Sequence, residues 1–396
     1  MSYEDFIKNA EAEAQALETI RDLRHPHLIK ATAYYKLGPK HYFIFPWAES
    51  GNLWDFWEKD PQPLDSGYLK WGFTQLLGLA WAIRELHHSD DGAWRHGDLK
   101  PENIMCFEDK SNVKNSGRCI LVIADVGLAR VHVMATDNRP DPTSTQSGTV
   151  MYWPPERELP QQQARTRRYD IWSLGCIYLE FLIWLLYGTS GLRRFRTELR
   201  GNKFYVIQPN QAGQMESARV NEDVQKWMDS IKKDPRCPQN TALERLLNLI
   251  ETRLLVVKVT PNTSAPSAER QLGAVPGSNP ASFTKSLYGT ESDISSNSSF
   301  EIPRLQVRAP TVQLNGTLSA TGGNSSDDFR AYALEMHETM EHIVKSATSS
   351  GNTRIEWMGK SDKPVPEGPK KFGDSLTAPQ ASAVAGRSRG KDVVVC

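Results

Sequence analysis

The chain contains no glycine before Gly38. Loops that cradle phosphate with bare backbone N–H groups depend on clustered glycines, so no such loop lies ahead of that position. Cysteine is scarce as well. The five (Cys106, Cys119, Cys176, Cys237 and Cys396) are odd in number, scattered and without CxxC spacing. That pattern argues against a disulfide framework or a thiolate zinc site and predicts reduced thiols, hence a cytosolic or nuclear protein. An excess of one charge is lacking too, with 47 basic against 47 acidic residues. Without a global field to gather polyanions, neither a nucleic-acid nor a membrane partner is expected. The opening MSYEDFIKNAEAEAQ has no apolar core, so no signal peptide is expected. Long hydrophobic runs are limited to residues 171–187, slightly short of a membrane span and carrying Glu180 at the centre. A helix buried on all sides is the expectation there.

What the chain does hold is core material, most of it early. Of its 396 residues 39% are hydrophobic, concentrated before residue 257, enough for one large or two ordinary domains. Residues 3–24 place Phe6, Ala10, Leu17 and Ile20 at helical spacing among charges, and HPH at 25–27 ends that helix. Two short apolar runs, HLIKATAYYKL and HYFIF, flank GPK and predict a hairpin that Pro46 stops. A longer helix is predicted from about Asp65 to His88, with Leu69, Phe73, Leu76, Ala80, Ile83 and Leu86 on one face and Asp65 or Ser66 as cap. Short strands near 104–107 and 119–124 enclose a polar turn, and a long polar segment over 125–156 is of the functional kind.

Beyond Asp170 the pattern is helical again. After the buried run come an amphipathic stretch with Val224, Trp227, Met228 and Ile231, then Leu243, Leu246, Leu247, Ile250 and Leu254. Residues 260–328 are dominated by Ser, Asn, Pro, Gly and Thr, which predicts disorder. Ala333, Met336, Met340 and Ile343 make a last helical stripe behind an Asp cap, and the tail from Ala347 is linker-like.

The stretch WRHGDLKPENIM, residues 94–105, carries the chemistry. Taken singly, Asp98 and Asp125 read as turn or cap residues, His96 as a packed core histidine and Asp170 as a helix cap. Their order says more. His96, Asp98 and Asn103 stand at the spacing of H-R-D-L-x-x-x-N, and IADVGLAR at 123–130 stands where D-F-G follows it. GTVMYWPPE at 148–156 is similar to a segment ending in A-P-E, YDIWSLGC at 169–176 to the start of a central helix, and FIFPWAESGNL at 43–53 to a hinge. On these motifs the chain resembles the eukaryotic protein kinase family over most of residues 1–257.

The resemblance implies an α+β, protein-kinase-like two-lobe fold with an incomplete small β lobe and a mainly helical large lobe. Residues 1–257 would form the kinase domain, 1–45 a small-lobe remnant and 46–257 the hinge and large lobe. Residues 258–328 would be a disordered insertion, 329–346 the final helix of the domain, and 347–396 a disordered tail.

It also implies a protein serine/threonine kinase that uses ATP and magnesium on a protein substrate. Phosphoryl transfer asks for oxygen ligands to the metal, a cation near the transferring group and an acceptor for the hydroxyl proton. By resemblance Asp98 is the base, Lys100 the cation, and Asn103 and Asp125 the metal ligands, with Gly127 permitting the turn beside the second. Pro46 and Ala48 would read adenine with a carbonyl and an N–H, beside Phe45 as gatekeeper. His96 and Asp170 would support the loop. Thr149 together with Lys100 points to Ser/Thr acceptors. Glu156 would close the segment by pairing with Arg330, which introduces the final helix. Glu13 is the match for the small-lobe acid that pairs with a strand lysine, with Glu11 and Glu18 as rivals.

Two departures stand out. Gly97 replaces the Arg with which the family's loop grips a phosphorylated activation segment, so phosphorylation there is a less expected switch. Val126 replaces the Phe of D-F-G, so looser alignment of the metal-binding Asp is expected. The glycine-rich loop, three strands and V-A-I-K lysine that the family places ahead of the Glu13 helix have no counterpart in the chain. Two readings stay open from the sequence: an ordinary kinase belonging to a longer protein, or a catalytically impaired, pseudokinase-like binding module or scaffold.

Overall fold

A computed structural model describes residues 25–38, 40–88, 94–109, 118–125, 150–159, 166–199, 203–209, 215–259, 329–351 and 354–360. The expected helix over 3–24 and the expected insertion over 260–328 lie outside the described residues. The architecture is α+β: the described residues form three two-stranded antiparallel sheets around a helical core.

The first sheet is the hairpin of β1 (Ala33–Leu37) and β2 (Lys40–Ile44), in register from Ala33 opposite Ile44 to Leu37 opposite Lys40. Gly38 supplies the positive φ of 60° that its tight turn needs. Alternation sends Tyr34 and Phe43 to one face and Tyr35 and Tyr42 to the other, each pair stacked at 4.8 Å.

Ahead of the hairpin, residues 27–29 pair with the second sheet. Ile29 N–H donates to Ile123 O (2.8 Å) and Ile123 N–H to His27 O (2.9 Å). That sheet joins β3 (Ile104–Glu108) to β4 (Cys119–Ile123). It is held from beneath by α2 (Ser66–His87), which follows the short α1 (Leu53–Phe56). Asp65 caps α2 by accepting from Tyr68 N–H at 2.6 Å, which selects it over Ser66 as the cap. Trp71 Nε1 donates to Cys119 O (2.8 Å), and Gln75 Oε1 accepts from Leu121 N–H (3.0 Å).

His27 sits between these layers. It hydrogen-bonds Leu121 O through Nδ1 (2.6 Å) and packs so closely on α2 that a Cβ at Gly78 would come within 2.1 Å of its Nε2. Burial lowers the His27 imidazole to about 4. Burial and the Arg84 charge lower His337 to about 4, and burial with the His27 charge lowers His25 well below its ordinary value. A histidine whose folded pKa is depressed favours the folded state above its unfolded pKa of about 6.5 and loses that contribution as pH falls through the folded value. For His27 the loss is on the order of 3 kcal/mol. The urea midpoint is therefore expected to fall steadily from pH 6.5 toward 4. The upper half of that window is diagnostic, because ordinary carboxylates remain ionised there; a midpoint flat from pH 6.5 to 5 would contradict the assignment.

The core is organised around α3 (Arg168–Leu199), the helix expected over 171–187 but longer. Its most apolar 18-residue window is 94% buried inside the protein, so a segment long and apolar enough to cross a membrane serves as the core helix. Gly188, at φ 68° and ψ −170°, breaks it into two helical segments. A Cβ there would meet Asp60 Oδ1 at 2.8 Å, the oxygen that accepts from Thr189 N–H at 2.9 Å. The third sheet, β5 (Tyr205–Pro209) with β6 (Met215–Val220), precedes α4 (Glu222–Lys232) and α5 (Ala242–Leu249). α5 runs on into a π turn at Ile250–Leu254.

The last helix, α6 (Ala333–Thr348), lies along α2 and buries Ala333, Met336, Met340 and Ile343, the stripe read from the sequence. Two expectations about this end need correction. No side chain caps the helix: its N-cap is Tyr332, and the backbone ahead of it is instead held by Arg330 N–H to Lys258 O (3.0 Å) and Ala331 N–H to Arg253 O (2.8 Å). Nor is the chain linker-like from Ala347, which is buried. Ile355 and Trp357 are buried too, Trp357 edge-on to Phe73 at 5.4 Å, and Ala242 N–H donates to Glu356 O at 2.8 Å. Two apolar residues at strand spacing dock an otherwise polar stretch, a pattern too short to read from periodicity.

The Arg330 N–H to Lys258 O hydrogen bond also brings the two ends that flank residues 260–328 together. Replacing residues 260–328 with about eight Gly and Ser residues shortens the connection by three halvings, each sparing about 0.6 kcal/mol of closure entropy. The melting temperature is expected to stay the same or rise slightly. A fall of more than a few degrees in a thermal scan would mean that the excised segment packs on the fold.

Candidate catalytic loop

Asp170, in the first turn of α3, is fully buried and accepts three hydrogen bonds. His96 N–H (2.9 Å) and His87 Nε2 (2.8 Å) donate to Oδ2, and Gly97 N–H (2.8 Å) donates to Oδ1. Burial alone would raise this carboxyl, but the His87 hydrogen bond and charge, with the Gly97 N–H, hold it below its ordinary value. Burial dominates for His87 and lowers its imidazole despite the hydrogen bond and charge of Asp170, which act to raise it. The core helix thereby fixes two consecutive backbone amides of the loop. Gly97 meets the geometry with a φ of 78°.

His96 ties the loop to the end of β4. Its Nε2–H donates to Ala124 O (2.9 Å), and its Nδ1 accepts from Asp98 N–H (3.3 Å), so both ring nitrogens are spent. Asp98 follows, one-third exposed, with Lys100 Nζ 2.9 Å from its Oδ2. Asn103, at the end of the single 3-10 turn Pro101–Asn103, donates Nδ2 to Asp98 O (2.8 Å) and Oδ2 (3.3 Å). Ala124 N–H donates to Asn103 O (2.8 Å), which brings Asp125 beside Asn103. Asp125 itself has a φ of 61°, a left-handed conformation that Asp tolerates better than most residues.

The donor set suits a hard cation. Asn103 spends its amide N–H on Asp98, so the amide oxygen is the atom left for a ligand, and Asp125, next to Ala124 in the chain, would supply a carboxylate as the second oxygen donor. Magnesium takes oxygen ligands and keeps several of its waters, so two protein groups suffice. Among the described residues no cluster of three or more His, Cys, Asp or Glu forms an alternative metal site.

Other expected residues fall in different places. Pro46 and Ala48 lie between β2 and the turn at Gly51, whose N–H donates to Ala48 O (3.1 Å). That turn is stitched to β3 by Ser50 N–H to Cys106 O (3.1 Å) and Cys106 N–H to Gly51 O (2.9 Å). Phe45 is 40% exposed. Glu156 and Arg330, 174 residues apart, meet in a buried bidentate pair: Nη1 to Oε1 at 2.6 Å and Nη2 to Oε2 at 3.0 Å. Glu13, Val126, Gly127 and Thr149 lie outside the described residues.

Sequence reasoning missed two groups. His87 gave no periodic signal, because it is the last residue of α2 and its partner lies 83 positions on. Glu180, noted only as a charge in an apolar run, accepts from Tyr152 OH (2.7 Å) and Arg196 Nε (2.7 Å). Arg196 in turn stacks over Trp54 at 3.7 Å. This network anchors residues 150–153 to the core helix, and a fully buried carboxylate inside an apolar helix was its one visible sign.

The protein kinase domain family matches residues 2–240 of the chain. Serine/threonine-protein kinase chk-2 of Caenorhabditis elegans is 30% identical over 164 residues, 41% of this chain and 30% of that protein. Human serine/threonine-protein kinase Nek2 is 30% identical over 190 residues, 44% of the chain and 38% of Nek2. Aurora kinase of Dictyostelium discoideum is 28% identical over 194 residues, 49% of the chain and 42% of that kinase. The matches thus span less than half the length of each of these relatives.

Proposed function

Because the chain belongs to the protein kinase family, we propose that it transfers the γ-phosphoryl group of ATP to a serine or threonine hydroxyl of a protein. The observation that carries this reading is the convergence of Lys100 and Asn103 on the Asp98 carboxylate, with Asp125 brought alongside through the Ala124 to Asn103 hydrogen bond. The relatives' names support the choice of serine and threonine acceptors.

Asp98 accepts the proton of the substrate hydroxyl as its oxygen bonds to the γ-phosphorus and the bond to ADP breaks. Lys100 sets a positive charge beside the oxygens that gain charge in that transition state. Asn103 and Asp125 would hold magnesium, which when bound neutralises phosphate charge. Asn103 has a second duty, since its Nδ2 donates to the same Asp98 Oδ2 that Lys100 Nζ reaches, and to Asp98 O. His96 and Asp170 keep the loop in place, and Gly127 is assigned, by family resemblance, the backbone freedom beside the second metal ligand. The Pro46 carbonyl and Ala48 N–H read the adenine edge, and Glu13 takes the place of the small-lobe acid. Thr149 together with Lys100 favours serine and threonine acceptors by family resemblance, and the buried Glu156–Arg330 pair closes its segment. The proposal includes an intracellular location, cytoplasmic or nuclear.

The test is phosphoryl transfer from labelled ATP to a serine- and threonine-bearing protein, compared with Asp98→Asn. Transfer by the native chain that the substitution removes supports the reading. Equal labelling by both overturns it and leaves a binding module or scaffold.

A further inference from the structure

The glycine at position 97 leaves the loop without its usual arginine, yet a guanidinium occupies the space beside it. Arg95, two residues earlier, folds back over Gly97. A Cβ built on Gly97 would lie 3.3 Å from Arg95 Nε, 3.6 Å from Nη2 and 3.8 Å from Cζ. The same guanidinium sits over the ring of Tyr169, 5.2 Å from its centroid. Tyr169 is buried at the start of α3, next to Asp170, and its hydroxyl accepts from Arg157 Nη1 at 3.1 Å. Arg157 stacks on Trp153, its Cζ 3.2 Å from the ring centroid.

These contacts form one unbroken series: Gly97, Arg95, Tyr169, Arg157, Trp153. It joins the loop that carries Asp98 to the segment that precedes the Glu156 anchor. The first link is close packing of Arg95 on Gly97, and the other three are of kinds worth more when desolvated, cation on aromatic face or charge-assisted hydrogen bond. Burial raises the Tyr169 phenol to about 12 even against the lowering effect of Arg157 and Arg95, so it remains a neutral hydroxyl at working pH.

We propose that Arg95 is a positioning residue: gripping Tyr169 from its face while Arg157 grips the hydroxyl, it fixes Gly97 and Asp98 to the Trp153–Arg157 segment permanently. The catalytic loop is then set by an internal brace rather than by an added phosphate. The glycine is part of the device, since a side chain at 97 would displace the Arg95 guanidinium. Asp170 holds the Gly97 amide from the core side, and Arg95 closes the opposite side.

The catalytic half of this inference rests on the kinase reading, so its test has two arms on the full chain. The first is hydrogen exchange of the peptide covering residues 94–100, which needs no activity. Arg95→Ala is expected to speed exchange there at least five-fold. Arg95→Lys, which keeps the charge, and Tyr169→Phe, which keeps the ring face, should give smaller increases. Unchanged exchange in Arg95→Ala overturns the brace, whatever the activity.

The second arm is the steady-state rate. A loop displaced by about 1 Å costs on the order of 100-fold in turnover. Arg95→Ala is expected to lower kcat by 10- to 100-fold with the KM for ATP changed less than two-fold, and Arg95→Lys to recover most of the loss. Faster exchange with an unchanged kcat overturns the positioning role. Faster exchange in a protein whose native form transfers no phosphate keeps the brace and sinks the kinase reading instead. Phosphatase treatment of the native chain should leave kcat unchanged, whereas a large fall would show that the loop depends on phosphorylation after all.

Discussion

Replacing Arg330 with alanine is expected to lower the melting temperature by roughly 6 to 20 °C, the largest effect of any single substitution outside the apolar core. The arginine is 1% exposed and uses all three of its guanidinium nitrogens. Nη1 and Nη2 reach the two Glu156 oxygens, Nη1 also reaches Arg168 O (3.1 Å), Nε reaches Val256 O (2.8 Å), and the plane lies over Trp172 at 4.9 Å. Truncation would strand a carboxylate that is itself 5% exposed, together with two carbonyls. Breaking one side of such a pair costs about 3 to 5 kcal/mol, because the remaining charge is buried without compensation. For a domain of the length matched at residues 2–240 each kcal/mol moves the midpoint by about 2–4 °C. Glu156→Ala should cost a similar amount. The double substitution should cost clearly less than the sum, since no lone charge is left behind. Additive losses, or a shift under 2 °C for Arg330→Ala in a thermal scan, would show that the pair is incidental to the fold.

That pair also marks how far the sequence could be read. Nothing in the residues around Arg330 points to Glu156; only the order of motifs in a known family does, because a contact across 174 positions leaves no local period. Local patterns fared better where one physical effect dominated. α2 is legible because Leu69, Phe73, Leu76, Ala80, Ile83 and Leu86 repeat at helical spacing behind two candidate caps, Asp65 and Ser66, of which the structure uses Asp65. The hairpin is legible because Gly38 sits between two runs of aromatic and aliphatic residues. The strands flanking the loop were placed within a residue or two of β3 and β4.

Failures came where tertiary contact overruled local chemistry. An Asp cap was expected for α6, yet backbone pairing with residues 253 and 258 fixes the chain ahead of that helix, and it starts at Ala333 without a side-chain acceptor. The break at Gly188 falls just past the expected end at residue 187, but the helical continuation to Leu199 and the Asp60 carboxylate that accepts from Thr189 N–H gave no local sign. Trp357 was passed over in a polar tail because its partner is Phe73 on α2. At the site the division is similar. Asp98, Lys100 and Asn103 lie within six positions and were found together; His87, which steadies Asp170, was not.

Asp98→Asn is expected to abolish most phosphoryl transfer while leaving the fold intact, and the two halves of that expectation have separate physical grounds. The amide oxygen of Asn can still accept from Lys100 Nζ and Asn103 Nδ2, now 2.9 and 3.3 Å from Asp98 Oδ2, so the loop keeps its internal hydrogen bonds. The ion pair with Lys100 is lost, but Asp98 is one-third exposed, and partly exposed pairs contribute about 1 kcal/mol or less. The melting temperature should therefore move by no more than a few degrees. The chemistry has no such reserve. An amide cannot take up the proton of the attacking hydroxyl, and a positioned base is worth about 100- to 10,000-fold. The fall should appear in kcat, with the KM for the protein substrate little altered, because the substituted side chain keeps its size and the interaction removed exists only as the proton transfers. A loss confined to KM would assign Asp98 to binding, and a large loss of stability would make the rate uninterpretable and shift the test to Lys100→Met. If the native chain and Asp98→Asn both transfer nothing while the Arg330 pair behaves as expected, the fold stands without the activity, and a binding role becomes the better account of the loop.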